Sequence, residues 1–167
     1  MKLYIMRHGV AEETSETGRD DDRILTRTGR ERVRSVARAL VEADEAPAHI
    51  FSSPLVRALQ TAEIVAAVTK LDGREGRVEV RRDVAPGGDA VELVHRLFGE
   101  KVKRSMLVGH EPDLSTLITR LLGEPIPVPM DKGMVVGLQL RSADDVALRF
   151  VLEPKALTWP IDARRAG

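Results

Sequence analysis

Short β-rich apolar runs alternate along the chain with longer segments in which apolar residues return every three or four positions. Residues 2–7 predict a first strand. Val33, Val36, Ala37, Leu40 and Val41 share one helical face, and Thr28-Gly29-Arg30-Glu31 offers a capping box ahead of them. Residues 49–52 predict a second strand, followed by Ser53 as an N-cap and Pro54 at the first position of a helix running to about residue 70. Residues 78–81 predict a third strand. Pro86-Gly87-Gly88 then makes a turn, and Asp89, three residues ahead of Glu92, caps a helix through residue 98. Residues 105–108 predict a fourth strand ending at Gly109-His110, and Pro112 starts a helix that closes near Gly123. Residues 134–140 and 146–152 predict two strands joined by a turn and paired antiparallel at the sheet edge.

This alternation is the pattern of an α/β fold: one domain, a three-layer α/β/α sandwich with a mostly parallel central sheet and an antiparallel C-terminal edge. The domain is expected to span residues 1–160, with the tail after Trp159, residues 161–167, frayed. The polar stretch 12–23 reads as a loop. At 167 residues and 43% hydrophobic content, one core is affordable without disulfides or metals. The 26 basic and 26 acidic residues cancel, so no global field draws the chain to nucleic acid or to an anionic membrane, and any anion binding is local. The chain has no cysteine, which excludes disulfides, thiolate metal sites and cysteine nucleophiles. The initial apolar run is too short for a signal peptide and no stretch is long enough to span a bilayer, so the expected location is cytoplasmic.

Three segments place His or Arg just past a predicted parallel strand: Arg7-His8-Gly9, Ser53-Pro54 with Arg57 close behind, and Gly109-His110. The carboxyl ends of the strands of an open α/β sheet form the ligand crevice, so these side chains are expected to converge. Two guanidiniums and two imidazoles beside helix N-termini make a pocket for a compact dianion, and phosphate fits it. Neighbouring cations also favour the neutral imidazole, whose free lone pair suits His8 to attack.

The motifs Met6-Arg7-His8-Gly9, Leu25-Thr26 with Gly29, Ser53-Pro54-Leu55-Val56-Arg57-Ala58 with Gln60-Thr61-Ala62, and Val108-Gly109-His110 resemble the histidine phosphatase superfamily, also called phosphoglycerate mutase-like. The short length, the Pro86-Gly87-Gly88-Asp89 turn and the Glu153-Pro154 region are similar to its SixA-type phosphohistidine phosphatases. The resemblance implies that His8 is phosphorylated transiently, while Arg7, Arg57 and His110 clasp the phosphoryl oxygens in the transition state. It implies that Gly9 lets the backbone turn tightly and that a backbone carbonyl fixes the His8 ring. Among possible proton donors Asp83 stands first, Asp89 second and Glu111 third, and Arg23 adds positive potential at the rim. The asparagine and the longer insertion of the mutase branch are missing, which suits an open site and a phosphorylated protein side chain.

A phosphomonoesterase acting on a small phosphorylated metabolite is the second enzymatic reading, and a phosphoprotein-binding domain without chemistry is a third. His110-Glu111-Pro112 lacks the second histidine of a zinc helix, so no metal is expected, nor any other cofactor. His49 and His95 stand beside no motif.

Overall fold

In the first strand, β1 (Lys2–Arg7), Leu3 and Ile5 point to one face and Tyr4 and Met6 to the other, and all four are fully buried. A strand covered on both faces reads as a continuous apolar run rather than an alternating one. The computed structural model describes residues 1–71 and 77–164. The other strands are β2 (His49–Ser52), β3 (Val78–Val80), β4 (Ser105–Gly109), β5 (Val135–Leu140), β6 (Val146–Leu152) and β7 (Ile161–Asp162). They form one sheet in the order β3-β2-β4-β1-β5-β6-β7. The first four strands pair in parallel, and β5, β6 and β7 add antiparallel neighbours along one side.

Helices α1 (Arg27–Glu42) and α2 (Val56–Thr69) cover the face that carries Tyr4 and Met6. Helices α3 (Ala90–Gly99) and α4 (Asp113–Leu122) cover the face of Leu3 and Ile5. The expected three-layer α/β/α architecture with its antiparallel C-terminal edge is therefore the observed one. Register does the positioning: Arg7 of β1 lies level with Gly109 of β4, and Val108 of β4 lies level with Ser52 of β2. His8 and His110 thus leave adjacent strands at the same height, and Ser53 leaves β2 one residue below them.

Four local expectations change. Thr26, not Thr28, caps α1, its hydroxyl accepting from Gly29 N at 2.9 Å. Gly29 sits where the Val10 carbonyl presses on the first turn, and any Cβ there would collide with that oxygen. Val41 lies on the exposed side of α1. Helix α2 begins at Val56 rather than at Pro54, and the Ser53 hydroxyl accepts from the Leu55 amide at 3.3 Å. The tail after Trp159 is not frayed as far as Arg164, because Phe150 pairs with Asp162 and Val151 with Ile161. The Arg164 guanidinium lies 3.8 Å from the Trp159 ring centroid and bonds Asp162 at 2.7 Å, so cation–π and ion-pair contacts hold this end in place. Residues 165–167 lie outside the described residues.

Candidate active site

The crevice at the carboxyl ends of β1, β2 and β4 collects His8, Arg57 and His110, which are 7%, 6% and 5% exposed, together with the half-buried Arg7. The His8 and His110 rings stand 5.1 Å apart, centre to centre, at 51°. His8 Nδ1 is 2.7 Å from the Gly9 carbonyl oxygen. A carbonyl can only accept, so Nδ1 carries the proton and the lone pair belongs to Nε2, which takes no hydrogen bond from any described residue. His110 Nε2 shares a 2.7 Å hydrogen bond with Ser53 Oγ, the same hydroxyl that accepts from the Leu55 amide. Thr61 Oγ1 donates to the Arg57 carbonyl at 2.7 Å and accepts from Gly9 N at 3.1 Å, tying α2 to the turn after β1.

Burial pushes the His8 ring down to a pKa of about 3; the bond to Gly9 opposes this, and His110, Arg57 and Arg7 push further down. His110 falls to about 4, again chiefly through burial and then through Arg57, against the opposite pull of Asp113 and Asp20. Both imidazoles are therefore neutral at pH 7. Five buried side-chain nitrogens or oxygens lack a partner among the described residues, and three of them are Arg7 Nε, Arg57 Nε and His110 Nδ1. An unpaired buried polar group costs about 1–3 kcal/mol, so their concentration at one site calls for a functional explanation.

The sequence missed Asp20. This residue opens a short 3-10 turn (Asp20–Asp22) in the loop after β1 and takes hold of Arg57 twice. Its carbonyl accepts from Arg57 Nη1 at 2.9 Å and its Oδ2 from Nη2 at 3.0 Å. Arg23, expected at the phosphate rim, donates instead to Asp20 Oδ1 at 2.8 Å and to the Glu12 carbonyl at 2.9 Å, so it braces the loop. The Arg23 bond first, and Arg57 with it, hold the Asp20 carboxyl below its ordinary range. In sequence Asp20 is one of three consecutive aspartates in a polar run, and nothing local marks it out.

Gly9 is required by space rather than by backbone twist: a Cβ would stand 2.8 Å from Val33 Cγ2 and 3.3 Å from Leu25 Cδ2. Asp83 follows β3 as expected, but its oxygens are bonded by Arg81 Nε at 3.1 Å and Arg96 Nη2 at 3.4 Å. Asp89 caps α3 by accepting from Glu92 N, and Glu111 accepts from the Ser115 amide and hydroxyl. Each candidate acid thus has a structural task. His49 begins β2, at the opposite end of the sheet from the crevice, and His95 is exposed on α3. Among the described residues no helix is long and apolar enough to cross a membrane.

The sequence profile of the histidine phosphatase superfamily (branch 1) matches residues 3–82. An uncharacterized protein of Picosynechococcus is 36% identical over 117 residues, covering 68% of each chain. The solved structure of the protein histidine phosphatase SixA with tungstate superposes with a TM-score of 0.84 at 26% identity, over 95% of this chain and 100% of that one. A phosphoserine phosphatase of Entamoeba histolytica in complex with phosphoserine shares the fold, with a TM-score of 0.69 at 17% identity over 94% of this chain and 99% of that one. The matched segment begins in β1 and takes in Arg7, His8 and Arg57, and the SixA likeness extends over nearly the whole fold; the chain belongs to the histidine phosphatase superfamily and is SixA-like.

Proposed function

We propose that this chain is a metal-independent phosphatase that removes phosphoryl groups from histidine side chains of a signalling or phosphotransfer protein through a phosphorylated His8. One observation carries the reading: a neutral imidazole, locked by Gly9 so that its bare Nε2 is the reactive atom, stands among Arg7, Arg57 and His110. Nε2 attacks phosphorus, and the new N–P bond forms as the bond to the substrate nitrogen breaks with its electron pair going to the departing ring. That ring leaves as neutral imidazole when its other nitrogen is protonated. His8 is then a phosphoimidazolium whose Nδ1–H still donates to the Gly9 carbonyl. Water attacks the same phosphorus, orthophosphate departs and neutral His8 returns. Arg7, Arg57 and His110 hold the phosphoryl oxygens through both steps, stabilising the charge that builds there. Asp20 positions Arg57 by fixing its Nη1 and Nη2 groups.

The choice of a phosphorylated nitrogen is supported by the acids. Both oxygens of Asp83 are already engaged, Oδ2 by Arg81 and Oδ1 by Arg96, which leaves no free carboxyl for a leaving alkoxide, whereas a protonated imidazole needs no such donor. The second reading, a phosphomonoesterase on a small metabolite, draws on one feature. Asp83 lines a cavity of about 220 Å³ together with Asp113, beside His110, where an acid would serve an alkoxide.

Rapid quench with labelled phosphohistidine protein and with a panel of small phosphomonoesters tests both. Acid-labile phosphate on His8 and faster turnover of the protein are expected. Preferential turnover of the panel reverses the ranking, and absence of protein-bound phosphate with every substrate sinks the covalent route.

A further inference from the structure

Beside Arg7, on the side away from His110, a groove of about 250 Å³ is lined by Arg7, Val10, Arg32, Asp131, Lys132 and Lys155. It holds four cations and one carboxylate in a chain whose formal net charge is zero. The three cations beyond Arg7 come from three separate elements: Arg32 from α1, Lys132 from the turn before β5, and Lys155 from the turn after β6. The turn of Lys132 is fixed to the site, and the turn of Lys155 is braced within itself. Gly133 N donates to both the Arg7 and His8 carbonyls at 3.1 Å, and the Glu153 carboxylate accepts from the Lys155 and Ala156 amides. The single acid is already engaged, Asp131 Oδ2 lying 3.4 Å from Lys155 Nζ. Arg32 and Lys132 have no ion-pair partner among the described residues. The cavity on the His110 side has no such surplus of cations, with Asp83, Asp89 and Asp113 lining it beside Arg120, and Arg81 and Arg96 paired to Asp83.

We propose that the groove beside Arg7 seats acidic side chains that flank the phosphorylated residue of a protein substrate, a conclusion that rests on the phosphatase reading above. A second anion is attracted on the Arg7 side and meets no such surplus of cations on the His110 side, so one orientation of the substrate is favoured. Lys132 and Lys155 are exposed at the rim, where they can meet a protein surface without enclosing a small molecule. The site thereby gains specificity that a phosphoryl pocket alone lacks, since that pocket reads only the group common to every substrate.

The test uses two phosphohistidine peptides of equal length, one with glutamates flanking the phosphohistidine and one with glutamines, and free phosphohistidine as the minimal substrate. Wild-type protein is expected to show a KM for the acidic peptide about tenfold below that for the neutral one, a preference that shrinks as salt rises. The double variant Arg32→Glu, Lys132→Glu should lose the preference and leave kcat and free phosphohistidine turnover unchanged. Lys132→Ser, on an exposed turn, should show part of the loss even if the double variant folds poorly.

Equal KM values for the two peptides in wild type, or a preference that survives charge reversal, overturns the proposal. So does a preference carried equally by a small phosphorylated carboxylic acid. Binding of the acidic peptide to the His8→Ala variant, followed by fluorescence anisotropy, separates recognition by the groove from turnover at His8. Salt-sensitive binding that needs Lys132, with no turnover by wild type, keeps the groove and removes the phosphatase reading.

Discussion

The two ends of β1 make the same ingredients do opposite things. At Lys2, Glu45 is buried and every oxygen is taken: Arg149 donates at 2.7 and 2.8 Å, Tyr4 Oη at 2.8 Å and Lys2 Nζ at 3.2 Å. Burial alone would raise this carboxyl, but Arg149, then Tyr4, win and hold it well below the usual carboxylate range. Burial first, then Glu45, pushes the Tyr4 phenol up. At Arg7, five residues and about 16 Å along the strand, cations again cluster, yet Arg7 Nε, Arg57 Nε and His110 Nδ1 are left without partners among the described residues. A charge cluster whose valences are satisfied internally serves the fold. One whose valences point into a crevice is costly to the fold and useful to a ligand.

The two clusters differ most at His8. Replacing His8 by alanine should cut phosphohistidine turnover by about a thousandfold or more while thermal unfolding barely moves, read by steady-state assay and calorimetry on the same sample. Retention of activity in that variant ends the nucleophile assignment. The mirror experiment is Glu45→Ala, which strands Arg149 and Tyr4. It should lose roughly 3 kcal/mol of stability in urea unfolding and leave kcat/KM unchanged in buffer.

Asp20→Ala tests the seam between the two kinds of cluster, since an exposed loop carboxylate there holds an arginine of the crevice. We expect orthophosphate to inhibit about tenfold more weakly because Arg57 loses its orientation, with partial recovery in Asp20→Glu. Tighter inhibition instead would mean that Asp20 competes with phosphate. The smallest effect is a signal that stays still. With folded values of about 3 and about 4 against 6.5 in the unfolded chain, the His8 and His110 ring resonances should not titrate between pH 7.5 and 5. Stability moves with protonation: the unfolded state takes up protons first, so this contribution is whole above pH 6.5, declines below it and is gone once pH has passed the two folded values.

Much of the site was readable because the crevice rule needs only strand ends. Arg7, His8, Arg57 and His110 each sit at or just past an apolar run, and a parallel sheet converts that one-dimensional fact into proximity. Side-chain partners were not readable. The carboxylates of Asp83, Asp89 and Glu111 looked equivalent as acids, and only packing reveals that Arg81 and Arg96 hold the first while helix amides hold the other two. Arg23 looked like a rim cation and proves to be a brace, because Asp20 reaches it first.

The α/β layering, the motif residues and the neutral net charge were all present in the order of amino acids, since periodicity and composition are local or additive properties. Strand order, the level registers that bring His8 beside His110, the grip of Asp20 on Arg57 and the basic groove from three distant elements are properties of long-range contact. They depend on which faces and ends the folded sheet sets side by side, and a linear pattern does not carry that information.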